Sequence, residues 1–108
     1  MDAAAKALDK RYTTRGGGRI RVEVWLDLKT RTVVRYNLAY VNPRITSRDS
    51  GRVIRFDNSH VYPGFHTPHH VHWFGRVFAN DKFQSYGQTE LRFQRLLPRL
   101  KRRYGTRY

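Results

Sequence analysis

The chain has 108 residues, which is enough for one compact domain and too few for two. It contains 22 lysines and arginines against 8 aspartates and glutamates, a formal net charge of +14, and seventeen of the cations are arginine. Guanidinium groups bind phosphate in a bidentate fork and stack on bases, so this excess favours a nucleic-acid partner, with an acidic protein as the alternative. Cysteine is absent, which excludes disulfides, thiolate metal ligands and a cysteine nucleophile.

The chain shows no signal for a membrane or for export. Its first residues carry charges where a signal peptide needs an apolar core, and no apolar run reaches membrane-spanning length. The hydrophobic fraction of 39% and the fifteen aromatic residues are typical of a packed domain. We therefore expect one cytoplasmic domain over 1–108 with no membrane partner.

Residues 1–18 are predicted to form an N-terminal helix followed by a glycine-rich joint. The segment from Asp2 to Tyr12 is rich in Ala, Lys and Leu, which favour helix, and Asp2 is placed to cap the first turn. The three glycines at 16–18 break any helix and predict a flexible connection to the next element.

Residues 19–79 are predicted to form an antiparallel β-meander that carries a histidine-rich site. Four stretches have the alternation or the β-branched composition of strands, and they are 19–27, 32–41, 52–57 and 70–79. In the last of them, alternation places His70 and His72 on one side, with Val71 and Trp73 facing the core on the other.

Residues 80–108 are predicted to form a C-terminal helical segment. From Thr89 onward apolar side chains recur at helical spacing, at Phe93, Leu96, Leu97, Leu100 and Tyr104. Pro98 predicts either a kink or a helix that begins close to it. The predicted fold class is therefore α+β, an antiparallel meander of about four strands with both terminal helices packed on one face.

All five histidines lie within thirteen residues, and three of them belong to TPHHVHWFG at 67–75. Imidazole serves at neutral pH as an acid or base, as a metal ligand, or as a switchable cation. A metal site is one hypothesis, because His70 and His72 share a strand face, and Asp57 or His60 at the end of the neighbouring strand would complete the ligand set.

Cleavage of RNA by acid–base catalysis is a second hypothesis. It needs a base for the 2′-hydroxyl, an acid for the leaving oxygen and cations for the phosphate. Candidates for the acid and base are His60, His70 and His72. Asp57 would orient one of these imidazoles, and Arg55 or Arg76 would clamp the phosphate.

A non-enzymatic binding module is a third hypothesis, with the histidines in structural roles. Polar strand faces carry Arg19, Arg21 and Arg35, interleaved with Trp25 and Tyr36, an arrangement compatible with a platform on which bases stack.

Two short segments resemble a known family. R-F-D-N at 55–58 and P-H-H-V-H at 68–72, joined by a Pro-containing loop, are similar to the R-Y-D-N and P-H-H-x-H segments of TumE-like toxins from toxin–antitoxin modules. The hairpin strand at 33–37 also looks like the family, so the resemblance covers roughly 19–77. It implies a toxin paired with a helix-turn-helix antitoxin, and it marks as functional Arg55, Asp57, Asn58, His69, His70 and His72. Phe56 and Val71 depart from the family's usual Tyr and Lys.

Together these patterns predict a toxin-like RNA-targeting protein that acts as a metal-independent endoribonuclease. The predicted catalytic residues are His60, His70, His72, Asp57 and Arg55, and the predicted nucleic-acid-binding residues are Arg19, Arg21, Arg35, Arg76, Tyr36, Asn58 and His69. No cofactor is expected, with a divalent metal at Asp57, His70 and His72 as the alternative. The expected partners are RNA and a helix-turn-helix antitoxin, with a homo-oligomer left open. The competing functions are a binding module, a metal-dependent nuclease and a nucleotidyl-modifying toxin.

Overall fold

A computed structural model describes residues 3–105, which form an α+β fold made of an antiparallel sheet and a C-terminal helix. The strands are β1 (Ala4–Thr13), β2 (Arg19–Asp27), β3 (Val33–Val41), β4 (Arg52–Asp57), β5 (His70–Trp73) and β6 (Arg76–Ala79). Helix α1 (Tyr86–Leu100) follows and continues into a π-helical turn at Lys101–Gly105. Strands adjacent in sequence are adjacent in the sheet, so the predicted meander is confirmed, with six strands instead of four.

The predicted N-terminal helix is wrong, because residues 4–13 form the edge strand β1. This strand pairs with β2 along its whole length, from Ala4 opposite Asp27 to Thr13 opposite Arg19. A lone helix of about a dozen residues is marginal in water, whereas pairing with β2 gives the backbone hydrogen-bond partners, and this outweighs the local helix propensity. The predicted cap, Asp2, lies outside the described residues.

The glycines at 16–18 form the turn of the β1–β2 hairpin and are not a loose joint. Gly16 and Gly17 have φ angles of 80° and 84°, in the left-handed region that favours glycine. The amide of Thr14 donates to the carbonyl of Gly18 at 2.8 Å. A Cβ at Gly18 would lie 2.7 Å from the ring of Tyr40, so the turn packs against the core only with glycine there.

The predicted strand at 70–79 is a hairpin of two short strands, β5 and β6. Phe74 and Gly75 connect them with φ angles of 49° and 86°, as a two-residue type I′ turn requires. The predicted strands at 19–27 and 52–57 are confirmed, and β3 begins at Val33, one residue later than expected. Val71 packs against the core as predicted, but Trp73 is 36% exposed.

Helix α1 packs on one face of the sheet, as predicted for the C-terminal segment. It begins at Tyr86, where the Ser85 hydroxyl oxygen accepts a hydrogen bond from the amide of Gln88 at 3.1 Å. The helix passes through Pro98, so the expectation of a start close to that residue is wrong. The buried core comprises Tyr36, Leu38, Tyr40, Val53, Ile54, Phe56, Phe93, Leu97 and Leu100. Within residues 3–105 no helix is long and apolar enough to cross a membrane.

Substitution Phe93→Ala should destabilise the fold by about 3–5 kcal/mol, because it leaves a cavity where an aromatic ring was buried. The ring of Phe93 is 2% exposed and meets Phe56 edge-on, with 6.3 Å between centroids. Urea denaturation followed by circular dichroism measures the free energy of unfolding. Leu91→Ala on the same helix is the control, because Leu91 is 51% exposed and should lose far less. Equal losses for the two variants would contradict the packing described.

Candidate functional site

The sheet face opposite α1 carries polar side chains that strand register arranges in two rows. Directly opposed residues on antiparallel strands point to the same side of a sheet. One row runs across β1 to β5 through Asp9, Glu23, Asn37, Asp57 and His70. The second row contains Arg11, Arg21, Ala39, Arg55 and His72. Residues that are far apart in the sequence therefore become neighbours on this polar face.

Asp57 is fully buried at the centre of the site, and its two carboxylate oxygens have different surroundings. Oδ2 pairs with Nη2 of Arg55 at 2.6 Å and accepts a hydrogen bond from the Ser59 hydroxyl at 3.0 Å. Oδ1 contacts Nε2 of His70 and lies 3.8 Å from Nε2 of His72. Burial raises the pKa of Asp57, but the contact with His70 and the charge of Arg55 outweigh burial and hold the pKa below its ordinary value.

The two imidazoles turn their Nε2 atoms toward Asp57 and their Nδ1 atoms toward other acceptors. Nδ1 of His70 lies 3.0 Å from the carbonyl oxygen of Pro68, and a carbonyl only accepts, so Nδ1 is the donor. Nδ1 of His72 lies 3.4 Å from Oδ2 of Asp49. Burial lowers the pKa of His72, and the Asp57 carboxylate opposes that shift.

Asp49 reaches His72 from a left-handed turn. The φ angles of Asp49, Ser50 and Gly51 are 48°, 55° and 83°, a conformation that Asp tolerates better than most residues. Its Oδ1 accepts a hydrogen bond from Nη1 of Arg52 at 3.0 Å, which fixes the carboxylate beside the imidazole. Backbone conformations of this kind are unfavourable and often occur at functional sites.

The loop between β4 and β5 covers the two histidines. The ring of Tyr62 meets His70 edge-on at a centroid distance of 4.8 Å and lies 6.4 Å from His72. Tyr62 packs in turn against Phe65 at 5.4 Å. As a result His70 is 0% and His72 6% exposed.

A chain of hydrogen bonds and ion pairs fixes the guanidinium of Arg55 from the other side. Nε of Arg55 donates to Oδ1 of Asn37 at 2.7 Å, and Nδ2 of Asn37 donates to Oε1 of Glu23 at 2.8 Å. Glu23 is paired with Lys6 at 2.6 Å and with Arg21 at 3.1 Å. Arg55 is therefore held in one orientation by Asn37 and Asp57 together.

A concave pocket of about 340 Å³ lies on the same polar face, beside the row that holds Arg55 and His72. Its lining contains four arginines and no carboxylate. The lining residues are Arg11, Tyr12, Thr13, Arg19, Ile20, Arg21, Asn37, Ala39, Val41 and Arg52. The pocket is thus a positively charged depression next to the buried cluster.

The four predicted nucleic-acid-binding arginines lie in different places. Arg19 and Arg21 line the basic pocket. Arg35 is exposed on the polar face, with its guanidinium carbon 4.7 Å from the centroid of the Trp25 ring. Arg76 lies on the helix side of the sheet, because its register partner on β5 is paired with a core residue of β4.

The other predicted nucleic-acid-binding residues form a structural cluster on the far side of the sheet. Tyr36 is 1% exposed, and its hydroxyl lies 2.8 Å from Nδ1 of His69, so it offers no surface for a base. The ring of His69 stacks on Phe83 with centroids 3.4 Å apart. Asn58 accepts from the amide of Tyr36 and donates to the carbonyl of Val34, both at 3.0 Å, and so extends the pairing of β3 with β4.

Two of the five histidines lie outside these clusters. His60 is exposed on the covering loop, 6.4 Å from Tyr62 between ring centroids, and the structure does not bring it to Asp57. His66 is exposed and pairs with Asp81 at 2.7 Å. The predicted catalytic residues that do come together are Arg55, Asp57, His70 and His72.

Sequence reasoning missed four residues of the site: Asn37, Asp49, Ser59 and Tyr62. Strand alternation places Asn37 on the same face as Arg35, so the alternation could have identified Asn37 as a residue of the polar face. No local pattern marks Asp49, since its place beside His72 depends on a left-handed turn.

No protein-family model, curated protein or solved structure matches the chain. The functional argument therefore depends on the site itself. Of the six residues that the TumE-like resemblance marks, four lie in the buried polar cluster, whereas Asn58 and His69 bond to Tyr36.

The free energy of unfolding should fall at acid pH, in part because Glu23 becomes protonated. Burial raises the pKa of Glu23, but bonds from Lys6 and Asn37 and the charge of Arg21 hold it below its ordinary value. A depressed folded-state pKa gives stability that is present above the unfolded pKa and lost as pH falls through the folded one. Urea denaturation measures the free energy of unfolding at pH 7 and at acid pH. The decrease between the two pH values should be smaller for Glu23→Gln than for the wild type. Parallel losses would contradict this role.

Proposed function

We propose that the chain is a toxin-like endoribonuclease whose reaction centre is the cluster of Arg55, Asp57, His70 and His72. The observation that carries the proposal is the juxtaposition of two features on one sheet face. A pocket lined by four arginines lies beside a buried carboxylate that contacts one imidazole and lies 3.8 Å from a second. The arginine-lined pocket suits binding of a phosphate backbone. The carboxylate and imidazole groups beside it are side chains that can act in cleavage of a phosphodiester bond.

The basic pocket supports a single-stranded nucleic acid as the substrate. Its volume of about 340 Å³ suits a nucleotide of a single strand better than a duplex. Arg11 and Arg21 are register partners on β1 and β2, and Arg19 lies two residues along the same face. Neighbouring guanidinium groups of this kind can contact successive phosphates.

The reaction that fits the cluster is attack by the 2′-oxygen of RNA on the adjacent phosphorus. A base removes the 2′-hydroxyl proton, the bond from phosphorus to the 5′-oxygen breaks, and an acid protonates that oxygen. The products are a 2′,3′-cyclic phosphate and a 5′-hydroxyl end. Arg55, held by Asn37 and Asp57, supplies a fixed positive charge for the phosphate oxygens as negative charge builds on them.

The metal-independent form of this reaction needs two imidazoles that reach the substrate from opposite sides. The structure directs both Nε2 atoms toward the same carboxylate, which gives this form less support than a metal-assisted one. It stays a prediction, and cleavage that survives a chelator would favour it.

The toxin role and the helix-turn-helix antitoxin are supported by the resemblance of R-F-D-N and P-H-H-V-H to TumE-like toxins. A net charge of +14 also calls for an anionic partner. Expression should therefore arrest bacterial growth, and Asp57→Asn should relieve the arrest at equal protein level.

The purified chain should cleave a mixed RNA pool and leave DNA of the same sequence intact, because DNA lacks the attacking hydroxyl. Arg55→Gln should lower the cleavage rate by roughly 100- to 1,000-fold, as expected for the loss of one fixed charge at the phosphate. Lys29→Gln, in the exposed turn between β2 and β3, is the matched control and should cleave normally. Gel electrophoresis with end-group analysis provides the readout. Equal cleavage of RNA and DNA would exclude the 2′-hydroxyl mechanism.

Removal of pocket arginines should weaken RNA binding in a salt-dependent way. For Arg11→Gln with Arg19→Gln, the slope of log affinity against log salt should fall by about 1.4, since each phosphate contact to a single strand contributes about 0.7. Fluorescence anisotropy with a labelled single strand at several salt concentrations measures the slope. The matched control, Lys29→Gln with Arg31→Gln, removes two charges at the other end of the hairpin. If both double variants show the wild-type slope, the RNA path does not cross the pocket.

A further inference from the structure

We propose that Asp57, His70 and His72 bind one divalent transition-metal ion through Oδ1 of the carboxylate and Nε2 of each imidazole. These three side chains belong to adjacent strands, β4 and β5, and lie on the polar face. The proposal concerns binding alone and does not rest on the proposed ribonuclease activity.

The first argument is the convergence of three buried atoms. Oδ1 of Asp57, Nε2 of His70 and Nε2 of His72 are buried and have no hydrogen-bond partner within the described part of the chain. The ligand atoms of this group lie within 4.8 Å of one another, and Oδ1 and Nε2 of His72 are 3.8 Å apart. A tetrahedral ion with bonds of about 2.1 Å holds its ligand atoms about 3.4 Å apart. Oδ1 of Asp57 and Nε2 of His72 would therefore approach by a few tenths of an ångström, whereas Nε2 of His70, which contacts Oδ1 more closely, would move away from it.

The second argument is the direction of the lone pairs. His70 donates its Nδ1–H to the carbonyl of Pro68, so in the neutral ring Nε2 carries the lone pair. That lone pair meets an oxygen of Asp57, and two buried acceptors in contact are unfavourable unless they share a positive charge. A proton on Nε2 of His70 would satisfy that nitrogen and Oδ1 of Asp57, but it would leave Nε2 of His72 without a partner. A metal ion satisfies all three atoms at once.

The third argument concerns the groups that contact the ligand side chains on the side away from the proposed ion. Metal-bound histidines almost always donate their other nitrogen to a carbonyl or a carboxylate. His70 has the carbonyl of Pro68 in that position, and His72 has the carboxylate of Asp49. The other carboxylate oxygen of Asp57, Oδ2, is held by Arg55 and by the Ser59 hydroxyl. Each of the three ligand side chains therefore has a polar group beside the atom that does not face the proposed ion.

The donor set indicates which ions fit. Two imidazole nitrogens and one carboxylate oxygen suit zinc, manganese, iron or cobalt, whereas magnesium and calcium prefer oxygen ligands throughout. Three protein ligands also leave a fourth position for water. If the proposed ribonuclease activity holds, an ion held by Asp57, His70 and His72 would supply Lewis-acid assistance to the removal of the 2′-hydroxyl proton.

Zinc binding by the full chain tests the proposal, with isothermal titration and with metal analysis after dialysis. The wild type should take up one zinc ion per chain. His72→Asn retains a polar atom near the place of Nδ1, beside Asp49, but removes Nε2. Its affinity should fall by more than about 100-fold, the upper end of what loss of an outer-shell partner costs. Magnesium should not compete at equal concentration.

His60→Ala with His66→Ala is the control for adventitious binding, because both side chains are exposed and lie outside the group of three. This variant should bind zinc like the wild type, and zinc should raise its Tm as it raises that of the wild type. Near-ultraviolet circular dichroism confirms that His72→Asn is folded. If His72→Asn does not fold, Asp49→Asn takes its place, with an expected loss of about 10- to 100-fold.

Three results would overturn the proposal: no stoichiometric zinc on the wild type, undiminished affinity in His72→Asn, or an equal loss in the control. The RNA assay is separate. Zinc binding without RNA cleavage by the loaded protein would remove the proposed function and leave the metal site in place. RNA cleavage by chelator-treated protein that binds no zinc would do the opposite.

Discussion

The carboxylate of Asp57 is buried at the centre of the sheet, where an ionised group is tolerated only if other groups satisfy it. Arg55 on the same strand, Ser59 just beyond its end and His70 on the next strand all contact this carboxylate. Arg55 is bonded in turn to Asn37 on β3. One buried charge thus links three strands in addition to their backbone ladder, and the positions of the surrounding polar groups follow from the need to satisfy it.

The same strands serve two faces with opposite requirements. On β4, Phe56 enters the apolar core under α1 while Asp57 enters the polar cluster, and on β5 Val71 and His70 are divided in the same way. A shift of register by one residue would exchange these side chains between the faces, so apolar packing specifies the polar geometry as well. The strands therefore set the positions of the ligand side chains, and the loop that carries Tyr62 covers them.

The basic pocket and the proposed metal site are two neighbouring regions of one sheet face, and they would bind ligands of opposite charge. The basic pocket is lined by four arginines, of which Arg21 and Arg52 are paired with carboxylates, and an anionic strand would compensate the remaining positive charge. The buried cluster instead contains three polar atoms that have no hydrogen-bond partner among the described residues, and the proposed cation would satisfy them. Arg55 lies between the two regions, with its guanidinium fixed on both sides. A phosphate bound in the pocket would be close to the cluster that we propose as the reaction centre.

Local pattern alone determined the α+β class, the strands at 19–27 and 52–57, the apolar face of α1 and the common face of His70 and His72, because alternation and helical spacing are properties of a few consecutive residues. Tertiary structure decided the rest. Residues 4–13 became a strand because β2 offers a pairing edge, and Tyr36 became core because α1 covers its side of the sheet. His60 stayed outside the site and Asp49 entered it because loop and turn conformations, which have no period to detect, set the position of each. The sequence supplied the chemical groups, whereas register and turns determined which of them meet at Asp57.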